Sequence, residues 1–167
     1  MKILYLHGLD SQLSAAKRTV LSHYGKVLAP TINYQDDSQS AETLVRQFGS
    51  DEINVVIGSS MGGFAGFYVS EAFRCPALLF NPALAHRSVL QKIPTYATNS
   101  RHFKQFVLGA QDEVVDPKAT LRFIADWLSN STKYDIHLHP DLAHRIPIAV
   151  FESEIANFFS KVSQNVQ

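Results

Sequence analysis

The segment at residues 58–62, GSSMG, has the residue types and the spacing of a nucleophilic serine held in a tight turn. It follows an apolar run at 53–57 and precedes an apolar, helix-like stretch, which is the strand–turn–helix context of a Gly-x-Ser-x-Gly nucleophile elbow. Side chains two residues either side of the serine would collide across such a turn, so both positions favour glycine. The segment therefore predicts that Ser60 is a nucleophile. The alternative is a Gly/Ser-rich turn that binds phosphate, although no lysine follows the glycines as a P-loop requires.

A serine hydroxyl is a weak nucleophile, so it needs a base, and the base needs an orienting carboxylate. In proteins with this elbow the acid follows the serine along the chain and the histidine comes last. Asp112 comes directly after an apolar run at 103–108, where it can reach across the top of a sheet. We predict that Asp112 is the orienting acid. The alternatives are Asp116, which precedes Pro117 as a helix N-cap would, and Glu113, which can face solvent.

Seven histidines compete for the role of the base. His144 lies between the last apolar run, which ends at residue 139, and Pro147, which suits the start of a final helix. Because it comes after the acid and beyond the end of a strand, we predict that His144 is the general base. The other six precede the acid or lie within the last strand: His7, His23, His86, His102, His137 and His139.

Acyl transfer also needs two backbone N–H groups that stabilise the developing negative oxygen. One is expected from Met61, the residue after the nucleophile. The other is expected from the loop after the first strand, where Gly8 allows a tight turn towards Ser60. We assign this second donor of the oxyanion hole to Leu9. The side chains of Met61 and Leu9 have no chemical role in this interpretation.

A metal site is the competing interpretation of the histidine-rich end of the chain. A legitimate ligand set for zinc would consist of His137, His139, Asp141 and His144. Each of these residues has a simpler explanation, however, and the glycine-flanked Ser60 would then have no role. We therefore predict no metal and no cofactor.

Six short apolar runs supply the strands that would position these residues. They lie at 3–6, 26–29, 53–57, 77–80, 103–108 and 134–139. The first five are almost continuously apolar, as are strands buried on both faces of a parallel sheet. The sixth alternates between apolar and polar residues, which predicts an edge strand with one wetter face.

Amphipathic stretches between the runs predict helices. Ser11 is a candidate N-cap of the first, Asp116 and Pro117 begin a later one, and Pro147 begins the last. The alternation predicts an α/β protein of one domain, residues 1–167. Its core is a doubly wound parallel sheet of about six strands with helices on both faces. Such sheets bind ligands beyond the carboxyl ends of their strands.

The connection at 81–101 breaks the alternation, because it has two prolines and no pattern of a long helix. We interpret it as a short, lid-like excursion over the top of the sheet. Its apolar residues either line an acyl-binding site or only pack the segment onto the core, and the sequence leaves both open. These residues are Leu84, Val89, Leu90, Ile93 and Tyr96.

Composition excludes several classes of function. The 167 residues include 15 basic and 15 acidic side chains, so the chain lacks the basic character typical of nucleic-acid binding. No apolar run reaches the length of a signal-peptide core or of a membrane span. Cys75 is the single cysteine, which prevents an internal disulfide and fits a reducing compartment. We expect a soluble, cytoplasmic protein without membrane insertion.

Several segments together resemble a known family. They are 6–11 (LHGLDS), 14–17 (SAAK), 58–63 (GSSMGG), 81–83 (NPA) and 109–115 (GAQDEVV). In this order they are similar to the small bacterial α/β-hydrolases of the YqiA-like esterase type, over most of the chain. The resemblance implies an α/β-hydrolase core reduced to six parallel strands, without the antiparallel N-terminal pair. It also implies a carboxylester or thioester hydrolase with Ser60, Asp112 and His144 as its triad.

These observations predict a serine hydrolase that cleaves a small-molecule acyl ester or thioester through an acyl-serine intermediate. The sequence departs from the family at 141–143, where DLA stands in place of a segment with glycine, and in the shorter excursion at 81–101. Two alternatives stay open: a non-catalytic binding protein on a hydrolase scaffold, and a peptidase or amidase with the same triad. The acyl length, the leaving group and the oligomeric state leave no mark in the sequence.

Overall fold

The computed structural model describes residues 1–95, 102–127 and 133–164. Its strands are β1 (Lys2–Leu6), β2 (Lys26–Leu28), β3 (Val55–Ser59), β4 (Ala77–Phe80), β5 (Lys104–Gly109) and β6 (Tyr134–His139). Its helices are α1 (Ala15–Ser22), α2 (Ser40–Phe48), α3 (Met61–Phe73), α4 (Pro117–Trp127) and α5 (Ile148–Gln164). All six apolar runs therefore form strands, with ends within two residues of the predicted ones.

The six strands form one parallel sheet in the order β2-β1-β3-β4-β5-β6. This confirms the doubly wound sheet and places β6 at an edge, as its alternating pattern predicted. The strand order reverses direction between β1 and β3, because the chain leaves β1 for one side and returns on the other. The loops after these two strands diverge at such a switch point and leave a crevice at the carboxyl edge of the sheet.

The core is divided between the two faces of the sheet. One apolar cluster joins alternate strand residues to α2, α3 and α4, and the other joins the remaining strand residues to α1 and α5. Helix α3 is buried on all sides from Met61 to Glu71, because it crosses the middle of the sheet. None of the helices in the described residues is long and apolar enough to cross a membrane.

The starts of two helices test the predicted caps. Helix α1 begins after Ser14, whose hydroxyl accepts a hydrogen bond from the Lys17 N–H at 3.3 Å. Ser11 instead donates to the Gly8 carbonyl at 3.0 Å, so the prediction that Ser11 is the N-cap was wrong. The hydrogen bond from Ser11 to Gly8 keeps Ser11 within the loop after β1, and α1 therefore begins only at Ala15. The cap at Asp116 is confirmed, since its carboxylate accepts from the Lys118 N–H at 2.9 Å.

The excursion after β4 contains neither helix nor strand over its described part, 81–95. It is fastened to the loop between β2 and α2 by the buried Gln91 side chain. The Gln91 amide donates to the carbonyls of Tyr34 and Asp37 at 2.8 and 3.0 Å and accepts from the Ser40 hydroxyl at 2.6 Å. Residues 96–101, including Tyr96, lie outside the described residues.

Candidate active site

Ser60 occupies a strained turn between β3 and α3. Its backbone has φ 56° and ψ −117°, a region that residues other than glycine rarely adopt. The Ser60 N–H donates to the Phe80 carbonyl at 2.9 Å, and the Ser60 carbonyl accepts from Phe64 and Ala83 at 3.0 and 3.1 Å. These bonds hold the strained backbone in place. They leave the serine at the N-terminus of α3, where the helix dipole favours negative charge.

The two positions of the elbow require glycine for different structural reasons. A Cβ atom on Gly58 would overlap the Gly62 carbonyl across the turn, which is the collision that the sequence predicted. A Cβ atom on Gly62 would instead overlap the Leu6 carbonyl at the end of β1. Gly58 is therefore needed by the turn itself, and Gly62 by the close packing of α3 against β1.

The substitution Gly58→Ala is expected to lower the free energy of unfolding by about 3 kcal/mol. The added methyl group meets backbone atoms, which cannot rotate away as a side chain can. Urea unfolding measures the effect, with Gly49→Ala as the matched control. Gly49 has φ −61°, and a Cβ atom there would meet the Val45 carbonyl oxygen at 3.0 Å, a contact that a shift of a few tenths of an ångström relieves, whereas that on Gly58 would overlap several backbone atoms. We therefore expect a change below about 1 kcal/mol for Gly49→Ala. Equal destabilisation by the two substitutions would contradict this account of the elbow.

The loops after β3, β5 and β6 bring the three predicted site residues together. The distance from His144 Nε2 to Ser60 Oγ is 3.1 Å, although the residues are 84 positions apart. The distance from His144 Nδ1 to Asp112 Oδ2 is 2.8 Å. The Asp112 side chain has no exposed surface, and that of His144 is 26% exposed. Hydroxyl, imidazole and carboxylate thus form a continuous hydrogen-bonded chain at the carboxyl edge of the sheet.

The carboxylate of Asp112 is held ionised by its neighbours. Its Oδ1 accepts from the N–H groups of Val114 and Val115, both at 2.8 Å, while Oδ2 faces His144. Burial raises the pKa of Asp112, but the hydrogen bonds from His144, Val115 and Val114 together outweigh it and hold the pKa below its ordinary value. An ionised Oδ2 can only accept, so it fixes the imidazole proton on Nδ1. Nε2 is then left to accept a hydrogen bond from Ser60.

Asn81 lies beside these three residues, and it had no role predicted from the sequence although 81–83 is one of the segments that resemble the family. Its side-chain nitrogen donates to the carbonyls of Ala143 and His144, both at 3.1 Å, and its oxygen accepts from the Gly109 N–H at 2.7 Å. Asn81 is 2% exposed and has φ 41°, a conformation that asparagine tolerates better than most residues. One amide therefore links the end of β4 to the end of β5 and to the histidine loop. The sequence feature that could have indicated this role is the position of Asn81 directly after the apolar run at 77–80.

The buried His7 side chain holds the loop after β1 in place, and both of its ring nitrogens have hydrogen-bond partners. Its Nε2 accepts from the Ile32 N–H at 2.9 Å, so its Nδ1 carries the proton and donates to the Gly8 carbonyl at 2.7 Å. The Tyr34 hydroxyl donates to the His7 carbonyl at 2.8 Å. These bonds give His7 a structural role, in agreement with the assignment of the base to another histidine.

The predicted oxyanion donors, Leu9 and Met61, belong to two segments next to Ser60, the loop after β1 and the start of α3. The backbone of the β1 loop lies against the serine, since a Cβ atom on Gly8 would be 3.2 Å from the Ser60 Cβ. In the described parts of the chain, neither the Leu9 N–H nor the Met61 N–H has a hydrogen-bond partner. The first N–H groups of a helix such as α3 have no partner within the helix. Both groups are therefore available to a ligand.

A cavity of about 700 Å³ opens at Ser60 and His144. Its surface is polar and apolar in similar measure. The other lining residues are Tyr5, Gly8, Leu9, Asp10, Ser11, Gln12, Ser14, Lys17, Ser59, Ser88, Val114, Arg145 and Ile146. Of the apolar residues in the excursion, Leu84 and Val89 pack on the core, and Leu90 and Ile93 are 84% and 55% exposed. Packing rather than acyl binding therefore accounts for Leu84 and Val89, and of the described part of the excursion only Ser88 lines the cavity.

The ligand set of the competing metal interpretation does not come together. His137 and His139 contact the Glu154 carboxylate at 2.6 and 2.7 Å, whereas His144 faces Ser60 and Asp112. Glu154 also accepts from the Gln105 amide at 2.7 Å. Across the described ranges, no group of three or more His, Cys, Asp or Glu side chains could hold a metal ion.

The parallel sheet, the elbow after β3 and the crevice at the switch point define the α/β-hydrolase fold. The solved structures that share it include the following three. A carboxylesterase from Bacillus cereus has a TM-score of 0.66 at 12% identity, over 96% of this chain and 87% of its own. Alpha/beta hydrolase domain-containing protein 10 from mouse has 0.71 at 13%, over 96% and 90%. SOBER1 from Arabidopsis thaliana has 0.66 at 14%, over 95% and 99%.

The family of the protein is identified by comparing its sequence with models of known families. The model of the uncharacterised protein family UPF0227 matches residues 2–113, and the chain belongs to this family. The match confirms the resemblance to the YqiA-like proteins. It includes the elbow and Asp112, whereas His144 lies beyond it. The position of the histidine beside the other two residues is therefore an observation of the structure alone.

Proposed function

We propose that the protein is a serine hydrolase that cleaves a carboxylic ester or thioester through an acyl-serine intermediate. The observation that carries the proposal is the pair of contacts made by His144, to Ser60 Oγ at 3.1 Å and to Asp112 Oδ2 at 2.8 Å. These are the contacts that a general base needs with its nucleophile and with its orienting acid.

In the acylation step, Ser60 Oγ attacks the acyl carbonyl carbon while its proton passes to His144 Nε2. The new carbon–oxygen bond turns the carbonyl oxygen into an oxyanion, which accepts hydrogen bonds from the N–H groups of Leu9 and Met61. Removing one such donor typically raises the barrier by about 3–4 kcal/mol. The imidazolium then gives its proton to the leaving oxygen or sulfur, the bond to that atom breaks, and the acyl group stays on Ser60.

In the deacylation step, water takes the place of the leaving group. His144 removes a proton from the water, whose oxygen attacks the acyl carbonyl, and the same two N–H groups stabilise the second oxyanion. The proton returns to Ser60 Oγ as the carboxylic acid leaves. Asp112 stabilises the imidazolium in both steps without taking up its proton. The chemistry needs no cofactor and no metal, and its substrate is a small acyl ester or thioester.

The direct test of the nucleophile is labelling with a fluorophosphonate probe, which forms a covalent bond with an activated serine. We expect the wild type to be labelled and Ser60→Ala to be unlabelled. Ser160→Ala is the control, because Ser160 lies exposed on α5, where its hydroxyl donates to the Asn157 carbonyl at 2.7 Å. Equal labelling of the wild type and Ser60→Ala would reject the assignment.

The two alternatives differ from this proposal in turnover. A binding protein on a hydrolase scaffold would not turn over p-nitrophenyl esters of any acyl length. A peptidase or amidase would prefer p-nitroanilides to the matching esters. The hydrogen bonds from Asn81 to the histidine loop favour a catalytic role over a binding role, because they hold His144 at its contacts. The fold does not select the leaving group.

A further inference from the structure

Lys17 is a half-buried cation in the wall of the cavity that contains Ser60 and His144. It stands in the first turn of α1, and its Nζ lies 5.1 Å from the centroid of the Phe151 ring. Among the described residues, no carboxylate forms an ion pair with it. Burial lowers the pKa of Lys17, because the charged ammonium loses solvation that no anion replaces. A cation placed in this way favours a negatively charged ligand.

A second cation lies on the same cavity. Arg145 follows His144 directly, is exposed, and has no ion pair with a carboxylate in the described part of the chain. The one carboxylate of the lining is Asp10, whose two oxygens both lie 3.4 Å from the Gln35 amide nitrogen. The cavity wall thus has two cations against one anion that is already hydrogen-bonded. The net charge of the wall is positive, although the whole chain is neutral.

We propose that the substrate carries an anionic group, a carboxylate or a phosphate, which Lys17 and Arg145 bind while Ser60 attacks the ester carbonyl. The inference rests on the proposed hydrolase function and names its substrate class. Hydrogen bonds between ionised partners are shorter and about twice as strong as neutral ones. Arg145 supplies a planar pair of donors that matches a carboxylate or phosphate, and Lys17 supplies a point charge. The anion also restores to the half-buried Lys17 the stabilisation that burial removes.

The anionic group can belong to the acyl part or to the leaving group, and two pairs of esters distinguish these sources. Mono-p-nitrophenyl glutarate and p-nitrophenyl hexanoate differ in a charge on the acyl chain. 4-(Butanoyloxy)benzoate and its methyl ester differ in a charge on the leaving group. The readout is the ratio of kcat/KM for the anionic ester to that for its neutral partner. Dividing the wild-type ratio by the variant ratio cancels the intrinsic reactivity of the esters.

We expect Lys17→Met to lower this ratio by about 10-fold to 100-fold for one pair, since a hydrogen bond to a charged group contributes that much. Lys17→Arg should keep the preference, because it keeps the charge. Lys118→Met is the matched control, since Lys118 is exposed on α4 and is not among the residues that line the cavity, and it should leave both ratios unchanged.

Two results would overturn the inference. If the wild type hydrolyses the neutral esters and Lys17→Met leaves both ratios unchanged, the anion-binding role is wrong and the hydrolase function stands. If the wild type hydrolyses none of the four esters and takes no fluorophosphonate label, the hydrolase function is wrong and the inference fails with it. Circular dichroism of each variant separates these results from loss of the fold, and Lys17→Gln provides a second neutral replacement.

Discussion

Replacing Asp112 by asparagine is expected to lower kcat for ester hydrolysis by about 10⁴-fold while the protein stays folded. The two N–H groups of Val114 and Val115 fix which way the new amide points, because they donate to Oδ1 at 2.8 Å. The amide oxygen must take that position, which turns the NH₂ group towards His144. The imidazole then has to accept at Nδ1, so its proton moves to Nε2. The nitrogen that faces Ser60 can no longer take the hydroxyl proton.

The measurement is steady-state hydrolysis of a p-nitrophenyl ester by purified variants whose fold is checked by circular dichroism. Asp116→Asn is the matched control, since Asp116 caps α4 and asparagine caps a helix equally well. It should keep wild-type kcat. A large loss in Asp116→Asn together with a small one in Asp112→Asn would show that the acid was assigned to the wrong residue.

Asp112 also affects stability in acid, and the sign is fixed by its lowered pKa. A carboxyl whose pKa is lower in the folded protein than in the unfolded chain stabilises the fold when it is ionised. This contribution is present above the ordinary aspartate pKa and is lost as the pH falls through the lower, folded-state pKa. Asp112→Asn should therefore lose stability at neutral pH and show a flatter decline in acid than the wild type.

The largest expected effect on stability comes from the ion pair between Lys104 of β5 and Glu71 of α3. Both side chains have no exposed surface, and Lys104 Nζ lies 2.5 Å from Glu71 Oε1. The ammonium also donates to the Ser70 hydroxyl at 3.1 Å and lies over the rings of Phe67 and Trp127 at 5.7 and 5.8 Å. Burial lowers the pKa of Lys104, and the Glu71 carboxylate opposes that shift. Each charge is thus tolerated because the other is present.

We expect Lys104→Met to lower the free energy of unfolding by about 3–5 kcal/mol, since it removes the buried ammonium that faces the Glu71 carboxylate. The double variant Lys104→Met with Glu71→Leu should be about as stable as the wild type or more so, because it removes both buried charges. Urea unfolding of the two single variants and the double variant measures the coupling. A double variant as unstable as the sum of the single ones would contradict the account.

Most of the fold could be predicted because each strand of a doubly wound sheet corresponds to a short apolar run in the sequence. The runs at 3–6 and 77–80 are almost wholly apolar since both faces of the strand are buried. Helix starts were harder, because a hydroxyl cap is a local signal that recurs. Ser11 and Ser14 both satisfy it, and only the course of the loop after Gly8 selects Ser14.

The order of Ser60, Asp112 and His144 along the chain was enough to predict that they meet, since each follows a strand that ends at the same edge of the sheet. Asn81 and Lys104 were missed because their partners are distant in sequence. Lys104 lies within the apolar run at 103–108, and the charge in that run was the feature that could have indicated a buried ion pair. The lining of the cavity was also missed, because its largest share comes from the loop after β1, and of the described part of the excursion only Ser88 contributes to it.

Loops at the end of an α/β sheet usually tolerate changes in length. The amide of Asn81 removes that freedom from two of them, since it spans from Gly109 at the end of β5 to the backbone of residues 143 and 144. An insertion in either loop would pull the imidazole out of line with the hydroxyl. Changes of length that would reshape the cavity are thereby restricted to segments that this amide does not tie, such as the stretch beyond Pro82.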